Sequence, residues 1–187
     1  MVRIKVAITI GSHNIHFDFT GSDSQVSGAR NCVMMATLVC VFHAVKVVTE
    51  PDLAPNAGYY RAIKVIAPPG TIMNCVPPAA VGDRGRTQVV GDLLLGALAN
   101  AAPERVMAGC GSSQAVMFSG YDPRRNEYVV DYDMFAGGAG AQFDRDGMDT
   151  VRVHAAIADS TPLGLIRTSK SDTGSFVSSG DYRVLAR

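Results

Sequence analysis

From Cys32 to Val48 the only side chains that readily carry charge at neutral pH are His43 and Lys46. Apolar residues fall on nearly every face of this stretch, so its spacing predicts a helix buried centrally. Burying such a helix contributes about 1.5–3 kcal/mol per large side chain before ordering entropy is subtracted. A stretch that favourable becomes the spine around which the other elements are arranged. It falls short of the ~20 apolar residues a membrane span needs. Met1 to Ile10 alternates like a strand instead of resembling a signal peptide, so a cytoplasmic protein is expected.

The flanking segments supply the other layer. In Val2 to Ile10, Arg3 and Lys5 alternate with Val2, Ile4 and Val6, the period-two pattern of a strand with one buried face. Gly11 to Asn14 is turn material and Ile15 to Phe19 resumes a strand, which makes a hairpin. Ser24 to Ala29 reads as loop, with Ser27 or Asn31 available to cap the apolar helix. Tyr60 to Ala67 reads as a further strand. Gln88 to Ala102 reads as a second helix with Val89, Leu93, Leu94, Ala97 and Leu98 on its apolar face. Ala115 to Ser119 and Glu127 to Phe135 form a second hairpin across Tyr121 to Asn126, and Val151 to Ala156 is a last strand. Two hairpins and a mixed sheet around a central buried helix point to α+β and away from alternating α/β.

The 187 residues fit one domain or one compact lobe of something larger. Seventeen basic and seventeen acidic residues cancel, and no basic run exceeds a dipeptide, so the electrostatic footprint of a nucleic-acid binder is missing. Formal neutrality also protects poorly against association, which suits a component of a larger assembly. The four cysteines form no CxxC pair. Cys32 and Cys40, on one helix, would be separated by about 12 Å of axial rise, beyond disulfide reach, and read as buried thiols.

Chemistry-bearing motifs are sparse. Asp18-Phe19-Thr20-Gly21-Ser22 packs a carboxylate, two hydroxyls and a glycine into one turn. It could hold a ligand, or Asp18 could simply accept backbone N–H groups in an Asx turn. Gly137-Gly138-Ala139-Gly140-Ala141 has clustered glycines that could present N–H groups to an anion. It lacks the GK[ST] ending of a phosphate loop, so close backbone packing or a cavity lining is the stronger reading. The four histidines show no metal-ligand spacing, and His43 reads as a satisfied core residue. There is no GxSxG elbow, and no setting that would stabilise a cysteine thiolate.

An ordered series of motifs runs over residues 1–160. It begins with Asp18-Phe19-Thr20-Gly21-Ser22 with Gln25, Asn31, and Asn56-Ala57-Gly58 with Arg61. It continues through Pro69-Gly70-Thr71, Pro77-Pro78-Ala79-Ala80-Val81-Gly82 and Gly96-Ala97-Leu98-Ala99. Ala102-Pro103-Glu104-Arg105-Val106, the Gly137 to Ala141 run and Asp146-Gly147 complete it. In order and spacing the series resembles the hydantoinase B/oxoprolinase family, which includes the large subunit of acetone and acetophenone carboxylases. The resemblance implies a hetero-oligomer with a hydantoinase A-like, ATP-binding subunit that activates a cyclic amide or ketone, the B-type component completing hydrolysis or carboxylation. It also implies subunits several hundred residues long with a His/Asp metal region in the amino-terminal half, of which no ligand can be carried over here.

The expectation is therefore a scaffold-and-cavity segment of a cyclic-amide hydrolase complex, inactive alone, that binds no cofactor itself. ATP and a divalent metal are implied in a partner subunit or in the complementary amino-terminal half of a B-type subunit. A ketone carboxylase subunit and a non-catalytic structural subunit are the alternatives. Residues 161–187 read as a diverged tail, and the stretch as a split subunit or a truncated product. If the segment lines a cavity, Asp18, Ser22, Asn31 and Asn56 are its candidate polar contacts. The backbone of Gly137, Gly138 and Gly140 is then the candidate anion or carbonyl contact, since loops at element ends are where sites concentrate.

Overall fold

The computed structural model of the chain describes residues 2–82, 84–109, 114–135 and 140–147. Two compact units are present, Met1–Ser112 with Gly140–Asp146, and Ser113–Ala139 with Gly147–Arg187.

In the first unit β1 (Ala7–Ile10) and β2 (Ile15–Asp18) form an antiparallel hairpin, with Ile10 opposite Ile15 and Ala7 opposite Asp18. The chain then leaves the sheet through α1 (Met34–Val48) and the short α2 (Ala57–Arg61), and returns as β3 (Ile63–Ile66). β3 lies parallel to β2, Ile15 beside Ile63 and Asp18 beside Ile66, giving the mixed order β1-β2-β3. Alternation decides which face is buried: Phe17 and Phe19 continue one face of β2, and Ile63, Val65 and Ala67 continue it on β3. Phe17 and Phe19 are fully buried. Val41, Ala44, Val45 and Val48 of α1 meet them there, joined by Val90, Leu94, Leu95 and Leu98 of α3 (Arg84–Leu98). The fold is α+β, with α1 packed against α3 and β3 at its centre.

The second unit contributes the hairpin of β4 (Gln114–Asp122) and β5 (Glu127–Phe135), paired throughout from Asp122–Glu127 to Gln114–Phe135. Its turn is fixed by Asp122, whose Oδ1 accepts from the Arg124 N–H at 2.9 Å, and by Asn126 at φ 54°, a left-handed position Asn tolerates.

Several elements differ from the sequence expectation for local reasons. Tyr60 and Arg61 belong to a helical turn, because Asn56 caps it: its Oδ1 accepts from the Tyr59 N–H at 3.0 Å. Only Ala7–Ile10 of the first long strand pairs with β2; Arg3 and Lys5 are held by Ser22 and Asp23 instead. α1 starts after Val33, which gives no side-chain cap, since Asn31 spends its amide elsewhere. Its buried residues, from Thr37 to Val48, follow a single stripe, while His43 is exposed instead of lying in the core. In α3 Leu94 and Leu98 are buried as expected, joined by Val90 and Leu95, while Leu93 and Ala97 are half-buried and Val89 is 43% exposed. The Val151 to Ala156 strand and the tail from residue 161 lie outside the described residues. Among the described residues no helix is long and apolar enough to cross a membrane.

Candidate functional site

Of the polar residues singled out from the sequence, Asp18, Ser22 and Asn31 gather in and beside one loop platform, built from residues 19–33 and 67–82. These two segments cannot pair as regular strands, because prolines and turns interrupt them, so side chains supply the missing partners. Gln25 is the clearest case. Its Nε2 donates to the Val76 carbonyl at 3.1 Å while its Oε1 accepts from the Val76 N–H at 2.8 Å. Asn74 Nδ2 donates to the Ala67 carbonyl at 2.8 Å, and the buried Thr37 hydroxyl donates to the Met73 carbonyl at 2.6 Å. Backbone bonds complete the platform, Cys32 N–H to Ile72 carbonyl at 2.8 Å and Cys75 N–H to Cys32 carbonyl at 3.0 Å. Pro77-Pro78, in the same loop, is joined by a cis peptide bond.

Asn31 sits at the middle, 4% exposed. Its Oδ1 accepts from the Val26 N–H at 2.8 Å, and its Nδ2 donates to the carbonyls of Val26 at 2.8 Å, Gly28 at 3.1 Å and Ala80 at 2.8 Å. One amide therefore closes its own loop and fastens it to the second.

Asp18, at the end of β2, accepts the Thr20 N–H at 2.8 Å in an Asx turn. The Thr20 hydroxyl, then that same N–H, and more distantly Lys5 hold its carboxyl below the usual carboxylate range, against a small opposing effect of burial. Gly21 follows at φ 88°, a region in which a side chain is strained. Ser22 Oγ accepts from the Lys5 N–H and donates to the Lys5 carbonyl, both at 3.0 Å. Asp23 does the same for Arg3: its Oδ2 accepts the Arg3 N–H at 2.7 Å and its own N–H donates to the Arg3 carbonyl at 3.0 Å. Together Ser22 and Asp23 tie the amino-terminal segment down as a strand partner would. Asn56 stands apart from this platform as the cap of α2, its Nδ2 donating to the Ala54 carbonyl at 3.0 Å.

Of the glycine run, Gly137 and Gly138 lie outside the described residues. Gly140 lies against Ala108, whose N–H donates to the Ala141 carbonyl at 2.8 Å. A Cβ at Gly140 would fall 1.8 Å from the Ala108 carbonyl oxygen, so the backbones meet where only glycine fits. Sequence reasoning passes over Gln25, Asn74, Thr37 and Asp23 as working residues. For Gln25 and Asn74 the signal is an amide inside a Gly- or Pro-bearing loop, where the backbone lacks regular partners, whereas Thr37 on α1 and the Asp23 carboxylate carry no such local signal.

Chemically, this platform positions backbone. Cys32, Cys40 and Cys75 form no disulfide, and burial pushes the Cys40 thiol up to about 11, which keeps it protonated and unreactive. Among the described residues no three His, Cys, Asp or Glu side chains come together as a metal site would require.

The mixed sheet, the buried helix pair and the loop platform place the chain in a class, and comparison identifies it: the chain belongs to the hydantoinase B/oxoprolinase family, whose profile matches residues 1–166. It is 30% identical over 170 residues to the B-type component of a putative D-/L-hydantoinase of Pseudomonas sp. (strain NS671), covering 87% of this chain and 28% of that protein. The crystal structure of an ATP-dependent caprolactamase from Pseudomonas jessenii superposes with a TM-score of 0.62 at 27% identity, over 79% of this chain and 26% of that one. A nucleotide-free acetone carboxylase shares the fold, with a TM-score of 0.68 at 18% identity over 84% of this chain and 22% of that one. The chain thus spans about a quarter of the length of these relatives.

Proposed function

We infer that the chain acts as a segment of the B-type component of an ATP-dependent complex that hydrolyses cyclic amides. The observation that carries this reading is the family match over residues 1–166, together with relatives named as a hydantoinase component of the B type and an ATP-dependent caprolactamase. Hydantoins and lactams share a ring amide that resists attack by water. Activating such a carbonyl with ATP in one component and finishing the hydrolysis in another keeps the reactive species away from bulk water. On this reading an ATP-binding, hydantoinase A-like subunit completes the hetero-oligomer. ATP and a divalent metal then belong to that subunit or to the rest of a B-type subunit.

The role of this segment is to shape the cavity wall. Asp18, Ser22 and Asn31 hold the loop platform in register, and Asn56 caps α2. Asn56 is exposed, as a residue reaching toward substrate would be. A purely structural subunit is the second reading, favoured by how fully Asn31 and Ser22 are engaged with backbone.

The test measures ATP-dependent release of carbamoyl or amino acids from hydantoin, oxoproline and caprolactam. The chain alone and the complex co-purified with its ATP-binding subunit are compared. No turnover by the chain alone, with turnover by the complex, is expected. Robust hydrolysis by the lone chain overturns the reading, and bicarbonate fixation onto a ketone transfers it to the carboxylases. Asn56→Ala, which removes only a cap, separates cavity wall from structural support. Loss of turnover with assembly intact supports the first, and unchanged turnover supports the second.

A further inference from the structure

A strand inside a sheet turns its backbone groups alternately toward its two neighbours. β3 has one neighbour, β2. The Ile15 N–H donates to the Ala62 carbonyl at 2.9 Å and the Phe19 N–H to the Ile66 carbonyl at 2.8 Å, which fixes the phase of this parallel ladder. Residues 62, 64 and 66 therefore turn toward β2, and residues 63, 65 and 67 turn the other way. On that far side the Ala67 carbonyl accepts from Asn74 Nδ2 at 2.8 Å, a side chain standing in for a strand. The Ile63 carbonyl, the Val65 N–H and carbonyl, and the Ala67 N–H meet no such substitute among the described residues. Ile63 and Ala67 are each 8% exposed, so water reaches them poorly, and buried backbone groups require partners. The opposite edge of the sheet differs, since Ile10 of β1 is 60% exposed and water serves it.

We propose that the open edge of β3 receives an extended strand of another polypeptide, one that sets a carboxylate beside Lys64 with apolar residues before and after it. The backbone decides that the occupant is a strand, because a row of alternating donors and acceptors is matched by extended chain. Charge decides its sequence. On the outer face of the sheet Thr9, His16 and Lys64 form one row in register. Lys64 is exposed and makes no ion pair among the described residues. A residue directly opposite it in a new strand lies at about 5 Å, where opposite charge stabilises and like charge destabilises. The residues on either side of that one fall on the face of Ile63 and Val65, which belongs to the core, so apolar side chains fit there. A second copy of this chain does not fit. An antiparallel pair of β3 strands that used residues 63 and 65 of both copies would set Lys64 against Lys64. The proposal goes beyond the functional reading above and holds whichever reaction the assembly performs.

The experiment uses the full chain in its assembled complex. A water-soluble carbodiimide joins an amine to a touching carboxylate without a spacer, the reagent taking up the water released, and the joined peptides are sequenced. Lys64 is expected to be joined to an Asp or Glu of another polypeptide, with apolar residues on both sides of it. Lys64 joined only to carboxylates of this chain, in the same copy or a second one, or not joined at all, overturns the proposal. Amide hydrogen exchange resolved to single residues reads the backbone. In the complex Val65 and Ala67 should exchange as slowly as Lys64 and Ile66, and a fast-slow alternation along β3 also overturns it. As a third measure, Val65→Pro removes an N–H that β2 does not use, at an edge position where proline is tolerated. Checked for an unchanged helical signal, this variant should be recovered in the complex at least tenfold less than Val65→Ala, and equal recovery overturns the proposal. None of these measurements reads turnover, so a complex without amide-hydrolysing activity sinks the functional reading and leaves the docked strand standing.

Discussion

Asn31 carries more of the structure than any single polar residue around it. Three carbonyls share the two hydrogens of its amide, and one N–H meets its oxygen. Asn31→Asp keeps the shape but sets a carboxylate against three carbonyl oxygens, which should cost about 2–4 kcal/mol. A urea titration that leaves the midpoint unmoved would contradict this. Asp18 makes a prediction in pH. Its folded carboxyl titrates below the ordinary value of 3.8, so its contribution is present above that value and is lost as pH falls through the lower, folded one. Asp18→Asn should therefore flatten the acid limb of the stability curve below about pH 4. It should leave stability near pH 8 lowered by a constant amount, which thermal melts across pH would show. The exposed turn containing Asp18 was legible in the sequence because an Asx turn is local chemistry. The role of Asn31 was not, because its fourth partner, Ala80, lies 49 residues away.

At the scale of elements, the long apolar run and both hairpins were readable, since each rests on periodicity within a few residues. What escaped was decided by tertiary packing. The phase of α3 is set by α1 across the core, and Tyr60 and Arg61 were drawn into a helical turn by the Asn56 cap. The same reasoning predicts where elements are vulnerable. Thr37 lies fully buried in the first turns of α1 with its hydroxyl on the Met73 carbonyl. Thr37→Val orphans that carbonyl and should cost about 1–3 kcal/mol, read as a shifted denaturation midpoint. Residues 106–109 are held between two neighbours. A Cβ at Gly109 would lie 2.8 Å from Asp92 Oδ2 on α3, and one at Gly140 still closer to the Ala108 carbonyl. Gly140→Ala should push residues 140–142 off this segment at a cost of about 1–3 kcal/mol. Hydrogen exchange at the Ala108 amide, which now bonds Ala141, would accelerate while the α1 amides stay protected.

For the whole molecule, formal neutrality and the exposed Met35 and Val39 of α1 act together. Isolated, the chain should bind a hydrophobic dye and associate as concentration rises, and Met35→Glu should reduce both without lowering the melting temperature. Light scattering against concentration checks this directly. The family was legible because an ordered motif series survives divergence even when no single motif is diagnostic. Which side of α1 is buried was not, since a run apolar on nearly every face shows no stripe by itself.

The parallel pairing of β2 with β3 has a consequence for biosynthesis. The β1–β2 hairpin is complete by Asp18, but the other edge of β2 gains its neighbour only when Ile63–Ile66 has been made. At translation speeds of about 5–20 residues per second, that edge stays open for several seconds while the apolar α1 emerges behind it. An unpaired strand edge beside a hydrophobic segment is a template for wrong partners. Slowing elongation between codons 19 and 62 should therefore raise the insoluble fraction, and a chaperone that shields nascent apolar segments should restore yield.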